Sequence, residues 1–246
     1  MNTLWQRLRG LFAGSPDVPP DVAPDGAAVS AVIAAIRAAN LSYCGPPKLE
    51  NIAEAALQVR AAHVRGSWLE AGVALGGSAI LLGKLKPRGL PLDLYDVFGL
   101  IPPPGPADGE DAHRRYAEIA SGTSKGLGDD TYYGYVTDLQ AKVLANLARF
   151  DVLPARDHVR LHRGLFEDTM RPSGAIALAH VDCDWYASVR VCIDRIAPRL
   201  AVGGMIVFDD YSSYSGCRRA VDEWLAATPD FQPAFHRRSL GVRRTR

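Results

Sequence analysis

The chain has 246 residues, 48% hydrophobic and 22% charged, an ordinary globular composition long enough for one large α/β domain with a sizeable core. With 28 Lys and Arg against 27 Asp and Glu the net charge is +1, which gives no electrostatic case for nucleic acid as a partner. No apolar run reaches membrane-spanning length, no signal peptide precedes a cleavage site, and Cys44, Cys183, Cys192 and Cys217 show no CxxC spacing, so a cytoplasmic protein with reduced thiols is expected.

Met1 to Phe12 places Leu4, Trp5, Leu8, Leu11 and Phe12 on one helical face. This predicts a helix that covers its own domain or a subunit neighbour rather than a membrane surface. Residues 13–26 form a Pro/Asp linker that cannot hold a helix. Two helices follow, Val29 to Ala39 and Pro46 to His63, the second opened by a Pro pair. Between them Leu41 to Gly45 is a loop whose Tyr43 no packing argument requires.

Gly66 to Ser78 then reads as a short strand, a glycine-rich turn and the start of a helix that runs to Leu85. Glycine lets a ligand approach the backbone, and the helix N-terminus favours a carboxylate or phosphate there. The turn is neither G-x-G-x-x-G nor a P-loop. A second strand, Leu92 to Tyr95, ends in Asp96, about 25 residues after the first strand, where an acid can bind a ribose diol. Capping a helix is the plainer role for Asp96, and the glycine turn favours the nucleoside.

Residues 101–134 are rich in Pro, Gly, Tyr and Asp and too long for a plain connection, which predicts a lid or substrate loop in place of a disordered insertion. A helix over Tyr135 to Phe150 and a strand over Val159 to Arg163 come next. The turn Gly164 to Asp168 then puts Phe166 where it either stacks on a flat ring or plugs the core.

Two apolar runs, Ala175 to Val181 and Met205 to Phe208, end in acids: Asp182 and Asp184 after the first, Asp209 and Asp210 after the second. An amphipathic helix and a Gly203-Gly204 turn separate them, so the strands are parallel and their acids leave the sheet on one edge. Converging carboxylates repel unless a cation or a shared proton relieves them, and oxygen ligands favour Mg²⁺, Mn²⁺ or Ca²⁺ over Zn²⁺. Helix capping explains any one of these acids but not the Asp209-Asp210 doublet opposite Asp182. His180 reads as a satisfied core histidine. A helix over Gly216 to Ala227 and two short strands, Phe231 to His236 and Ser239 to Arg243, complete the pattern. The sum is a seven-stranded, mostly parallel sheet with an antiparallel last strand, in one domain over residues 27–246.

WLEAGVALGGSA, LYDVFGLIPPP, GLFEDTM, AHVDCDWYAS and GGMIVFDDYSSYSGCRRAVDEWL resemble, in order and spacing, the motifs of the macrocin O-methyltransferase family, which methylates sugar hydroxyls on antibiotics. The resemblance covers roughly residues 40–230 and departs from the usual pattern at Ala71, Ala74-Leu75 and Trp185. It implies a class I methyltransferase (Rossmann-like) fold, S-adenosyl-L-methionine as donor and Mg²⁺ as metal. By position, Asp182 resembles the base and a metal ligand, completed by Asp209 and Asp210. Glu70 and Gly72 resemble the lining of the donor's methionine half, Asp96 the ribose acid and Phe166 the adenine contact, with Tyr43, Ser78 and Asp182 assigned to the same donor site. The acceptor implied is a small hydroxylated molecule, a glycoside with a vicinal diol, and the assembly a homo-oligomer, dimer or higher. A catechol-type aromatic O-methyltransferase uses similar metal logic and is the alternative. Asp182-Cys183-Asp184 also resembles the D-x-D of metal-dependent glycosyltransferases, which lack the answering doublet.

Overall fold

In the computed structural model, which describes residues 23–246, seven strands join in one sheet; the 1–12 helix and most of the linker lie outside the described residues. In chain order they are β1 (Ser67–Ala71), β2 (Leu92–Asp96), β3 (Val159–Arg163), β4 (Ile176–Val181), β5 (Leu200–Phe208), β6 (Phe231–Arg237) and β7 (Ser239–Arg244). Across the sheet the order is β3-β2-β1-β4-β5-β7-β6, with β1 to β5 parallel and β7 antiparallel to both its neighbours. This is the mostly parallel sheet with an antiparallel last strand that the apolar runs predict.

Parallel strands are apolar on both faces because both are covered, and β4 is buried at every position. Its residues are shared between two cores. Leu178 joins Trp68, Leu94 and Val207 under α1 (Gly26–Ala38), α2 (Pro46–Ala61), α3 (Gly77–Leu85) and, beyond the 101–134 segment, α5 (Leu139–Arg149). Ala179 and Val181 join Leu69, Ile206 and Phe208 under α6 (Tyr186–Ile196) and α7 (Ser215–Ala227). Local chemistry starts these helices where they begin. Asp25 accepts from Ala28 N at 2.8 Å at the head of α1, the Pro pair opens α2, and Asp138 accepts from Ala141 N at 3.1 Å at the head of α5.

Two local expectations change. Residues 101–134 are not loop throughout, since Glu110–Ala120 forms a further helix, α4, with two acids in its first turn and Ala112 and Ile119 buried. Gly203-Gly204 is not a turn before the strand. β5 begins at Leu200, opposite Ile176, and the pairing slips before Leu178 meets Met205, with Gly203 at φ +83 inside the irregular stretch. The Arg-rich end is likewise engaged: Arg237 pairs with Glu54, Arg243 reaches Gln58, and Arg244 donates to Leu200 O at 2.6 Å. No helix among the described residues is long and apolar enough to cross a membrane, and all four cysteines are free thiols.

Candidate active site

The carboxyl edge of the sheet is laced together just past the strand ends. Gly72 N donates to Tyr95 O at 2.9 Å, Asp182 N to Ala71 O at 2.8 Å and Asp209 N to Val181 O at 2.9 Å, so the loops after β1, β4 and β5 leave at neighbouring points. Gly72 has to be glycine. Its φ is +88, and a Cβ there would sit 1.7 Å from Asp182 O.

Four acids meet at this point. One carboxylate oxygen from each of Asp182, Asp184 and Asp210 lies within 4.8 Å of the others, and Asp182 and Asp209 form a similar group with Cys44 Sγ. Asp184 reaches inward from a left-handed backbone, φ +60, a conformation that aspartate tolerates at modest cost. It caps no helix. α6 starts at Tyr186 behind Trp185 without a side-chain cap, and Tyr186 N donates instead to Asp108 Oδ1 at 2.6 Å. Burial, then the charges of Asp209 and Asp210, hold the Asp182 carboxyl well above the ordinary range, and burial, then Asp210, does the same to Asp184.

Asp209 goes the other way. Burial alone raises its pKa, but His180 and Lys48 outweigh that and leave it below the ordinary value. The Lys48 ammonium, from the first turn of α2, stands 2.5 Å from Asp209 Oδ2 and 3.2 Å from Asp210 Oδ1. Asp209 Oδ1 and Asp210 Oδ2 are buried with no hydrogen-bond partner. Such oxygens are costly unless something else binds them, and an all-oxygen set with unsatisfied acceptors fits a hard divalent cation.

Beneath the acids lies a second pair. His180 Nδ1 bonds Glu70 Oε1 at 2.8 Å and His180 Nε2 stands 3.8 Å from Asp209 Oδ1, with Glu70 and His180 wholly buried. Burial opposes charge on the ring, but the Asp209 and Glu70 carboxylates outweigh it and push its pKa up to about 10. Glu70 therefore faces the histidine under the site and lines neither cavity above it.

Those two cavities open on the same edge. The first is walled by Gly72, Asp96, Ile101, Pro102, Tyr133 and Phe166, the second by Tyr43, Lys48, Arg115, Tyr132, Tyr214 and the acid doublet. Gly72, Asp96, Tyr133, Asp182 and Asp184 border both. Asp96 also ties down the glycine turn, accepting from Val73 N at 2.6 Å, Ala74 N at 3.2 Å and Phe98 N at 2.6 Å. Phe166 packs against the α6 side of the core and also lines the first cavity. Ser78 is buried in the first turn of α3 and lines neither cavity. Tyr43 lines the second, edge-on to Tyr133 with ring centroids 5.5 Å apart.

Sequence reasoning did not single out Lys48, Arg115, Tyr132, Tyr133 or Tyr214, and it placed Asp184 on the acid edge with a helix cap as its alternative role. The aromatic density of TYYGY, residues 131–135, signalled the tyrosines in part. Nothing marked Lys48, one more basic residue on an amphipathic helix.

Comparison with known proteins places the chain as follows. The family described as Macrocin-O-methyltransferase (TylF) matches residues 37–233. The demethyldecarbamoylnovobiocin O-methyltransferase of Streptomyces niveus is 30% identical over 188 residues, covering 74% of this chain. The mycinamicin III 3''-O-methyltransferase of Micromonospora griseorubida is 30% identical over 194 residues, covering 73% of this chain. The chain spans a little under two thirds of the first relative's length, 66%, and 68% of the second's. Among solved structures, the O-methyltransferase NovP is 27% identical with a TM-score of 0.68, over 84% of this chain and 83% of that one. The calicheamicin methyltransferase CalS11 shares the fold at 16% identity and a TM-score of 0.60, over 94% of this chain and 97% of that one.

Proposed function

The chain belongs to the macrocin O-methyltransferase family, and from that premise we propose that it methylates a hydroxyl, on a sugar of a glycosylated natural product, with S-adenosyl-L-methionine as donor and Mg²⁺ at the acid cluster. One observation carries the reading: two cavities share Gly72, Asp96 and Asp182, one extending to Phe166 and the other to the acid doublet. A donor and an acceptor held in these cavities would face each other across that carboxylate. Membership of this family leaves the glycosyltransferase reading without support.

The donor supplies a methyl group on a sulfonium, which needs an alkoxide-like oxygen to attack it. A sugar hydroxyl holds its proton too tightly at neutral pH for that. Asp182, Asp209 and Asp210 would hold Mg²⁺, whose charge would lower the pKa of a nearby hydroxyl. Asp182 would accept the proton, a role supported by its place on the border of both cavities. Asp96 and Phe166 hold the nucleoside end of the donor, and Gly72 lets the donor approach the β1 turn. His180 and Glu70 fix Asp209 from below, as buried partners of metal-binding carboxylates do.

Residues 101–134 form the lid over the acceptor, within a single domain over 27–246, in a cytoplasmic homo-oligomer. The tyrosines of the second cavity would also receive a flat phenol, so a catechol-type acceptor is the second reading. Incubation with labelled S-adenosyl-L-methionine, Mg²⁺ and a panel of glycosides and catechols, with and without EDTA, separates the two. Label on a sugar hydroxyl, lost in EDTA, is the expected result. Label on a catechol alone would move the acceptor class, and full labelling in EDTA would remove the metal.

A further inference from the structure

The acid cluster carries a cation of its own. Lys48 leaves α2 in its first turn, and the residues that follow it, Leu49 and Ile52, are wholly buried, so the base of this side chain is fixed. That tip lies 2.5 Å from Asp209 Oδ2, 3.2 Å from Asp210 Oδ1 and 3.5 Å from Ser213 Oγ, with the side chain 20% exposed toward the second cavity. An ammonium and a small divalent ion compete for the same carboxylate lone pairs. Ammonium–carboxylate contacts run at about 2.7 to 2.9 Å, whereas Mg²⁺ demands ligands near 2.0 to 2.1 Å in an octahedron. The two oxygens that Lys48 leaves alone, Asp209 Oδ1 and Asp210 Oδ2, are buried without a hydrogen-bond partner, the first 3.8 Å from His180 Nε2.

We propose that Lys48 is a built-in counter-cation of this site: it holds the Asp209-Asp210 doublet together when no metal is bound and releases at least one of those carboxylates when a divalent ion enters. The proposal rests on the reading of the acid cluster as a metal seat. Four carboxylates crowded on one sheet edge would repel and loosen the ends of β4 and β5 without a positive charge among them. Lys48 supplies that charge from outside the acid loops. The same charge opposes an incoming metal, so the site takes up Mg²⁺ less tightly than its acids alone would allow, and the ion exchanges. Burial weakens an ammonium, but Asp210 and Asp209 more than offset that and keep Lys48 charged. A retained charge is what a counter-cation needs.

Lys48→Met keeps the aliphatic stem and removes the charge. On the full chain, Mg²⁺ binding by calorimetry and thermal melting in chelator would be compared between wild type, Lys48→Met and Lys48→Arg. Lys48→Met should bind Mg²⁺ roughly tenfold tighter or more, the low end of what one close charge pair contributes. Its melting temperature in chelator should fall below that of wild type, with most of the loss recovered by Mg²⁺. Lys48→Arg should stay near wild type in both. Should Lys48→Met not fold in chelator, the milder Lys48→Gln carries the same comparison. Wild-type protein that binds no divalent ion would remove the metal seat and this proposal with it. Wild type that binds Mg²⁺ beside a folded Lys48→Met or Lys48→Gln that binds it equally or more weakly would overturn the counter-cation alone.

Discussion

On the proposed mechanism Asp182 would answer to two demands, as an oxygen ligand for a metal and as the acceptor of a proton, and substitution separates them. Asn at 182 keeps one neutral oxygen but is a far weaker base, so kcat should fall by about 10² to 10⁴ while donor affinity measured by calorimetry barely moves. A loss of donor affinity equal to the loss in rate would show that Asp182 positions the donor instead. Asp184 is the sharper case, because its left-handed backbone turns the carboxylate into the cluster and away from α6. Asp184→Asn should weaken Mg²⁺ by roughly 10 to 100-fold, the cost usual for a residue that supports a metal site. Unchanged Mg²⁺ affinity would leave it a bystander. Asp182, Asp209 and Asp210 were legible in the sequence because each ends an apolar run, and a strand's direction fixes where its last residue points. Asp184 was legible only as one more acid on that edge. Three residues beyond the end of β4, the pleat no longer governs orientation, and only the positive φ tells which way its side chain faces.

Around the acids, the elements are strapped by residues of the segment that precedes α5. Trp185 Nε1 donates to Pro102 O at 2.8 Å, Asp108 accepts from Tyr186 N at the head of α6, and Asp111 accepts from Ser215 N at 2.7 Å and Ser215 Oγ at 2.8 Å at the head of α7. The helices that follow the two acid-bearing strands thus take their caps from a different part of the chain. Asp111→Ala should cost about 1 kcal/mol, the usual worth of a helix cap, read from denaturant unfolding at neutral pH. Burial nudges the Asp111 pKa up, but the bonds from Ser215 prevail and hold it below the ordinary aspartate value. A carboxyl depressed in the folded state contributes stability at neutral pH and loses it as pH falls through its folded pKa, so the gap between wild type and Asp111→Ala should narrow as pH falls below the ordinary aspartate range. A constant gap would assign the loss to packing. These straps were invisible beforehand because capping across distant elements leaves no spacing to read. The Pro and Gly that flank α4 masked its helical pattern as well.

For the whole molecule, hydrophobic alternation carried the sheet almost intact, since parallel strands buried on both faces declare themselves as apolar runs bounded by turns. What alternation could not carry was the bulged start of β5, where Gly203 lets the strand begin early and slip register. The place of β7 has a consequence of another kind, in the order of manufacture. β7 lies between β5 and β6 although both are synthesised before it. While the chain emerges, the Met205–Phe208 edge, with the acid doublet at its tip, stays unpaired until Leu240 to Arg243 arrive to meet it. An open strand edge is a template for aggregation. Chains cut after Arg237 should therefore collect as aggregates or on chaperones, while chains cut after Arg244 should stay soluble in a pelleting assay. Soluble, cooperatively melting protein from the shorter form would mean that β5 closes without its partner. The acid doublet at the tip of β5 is thus sealed only once β7, the later-made strand, has arrived beside it.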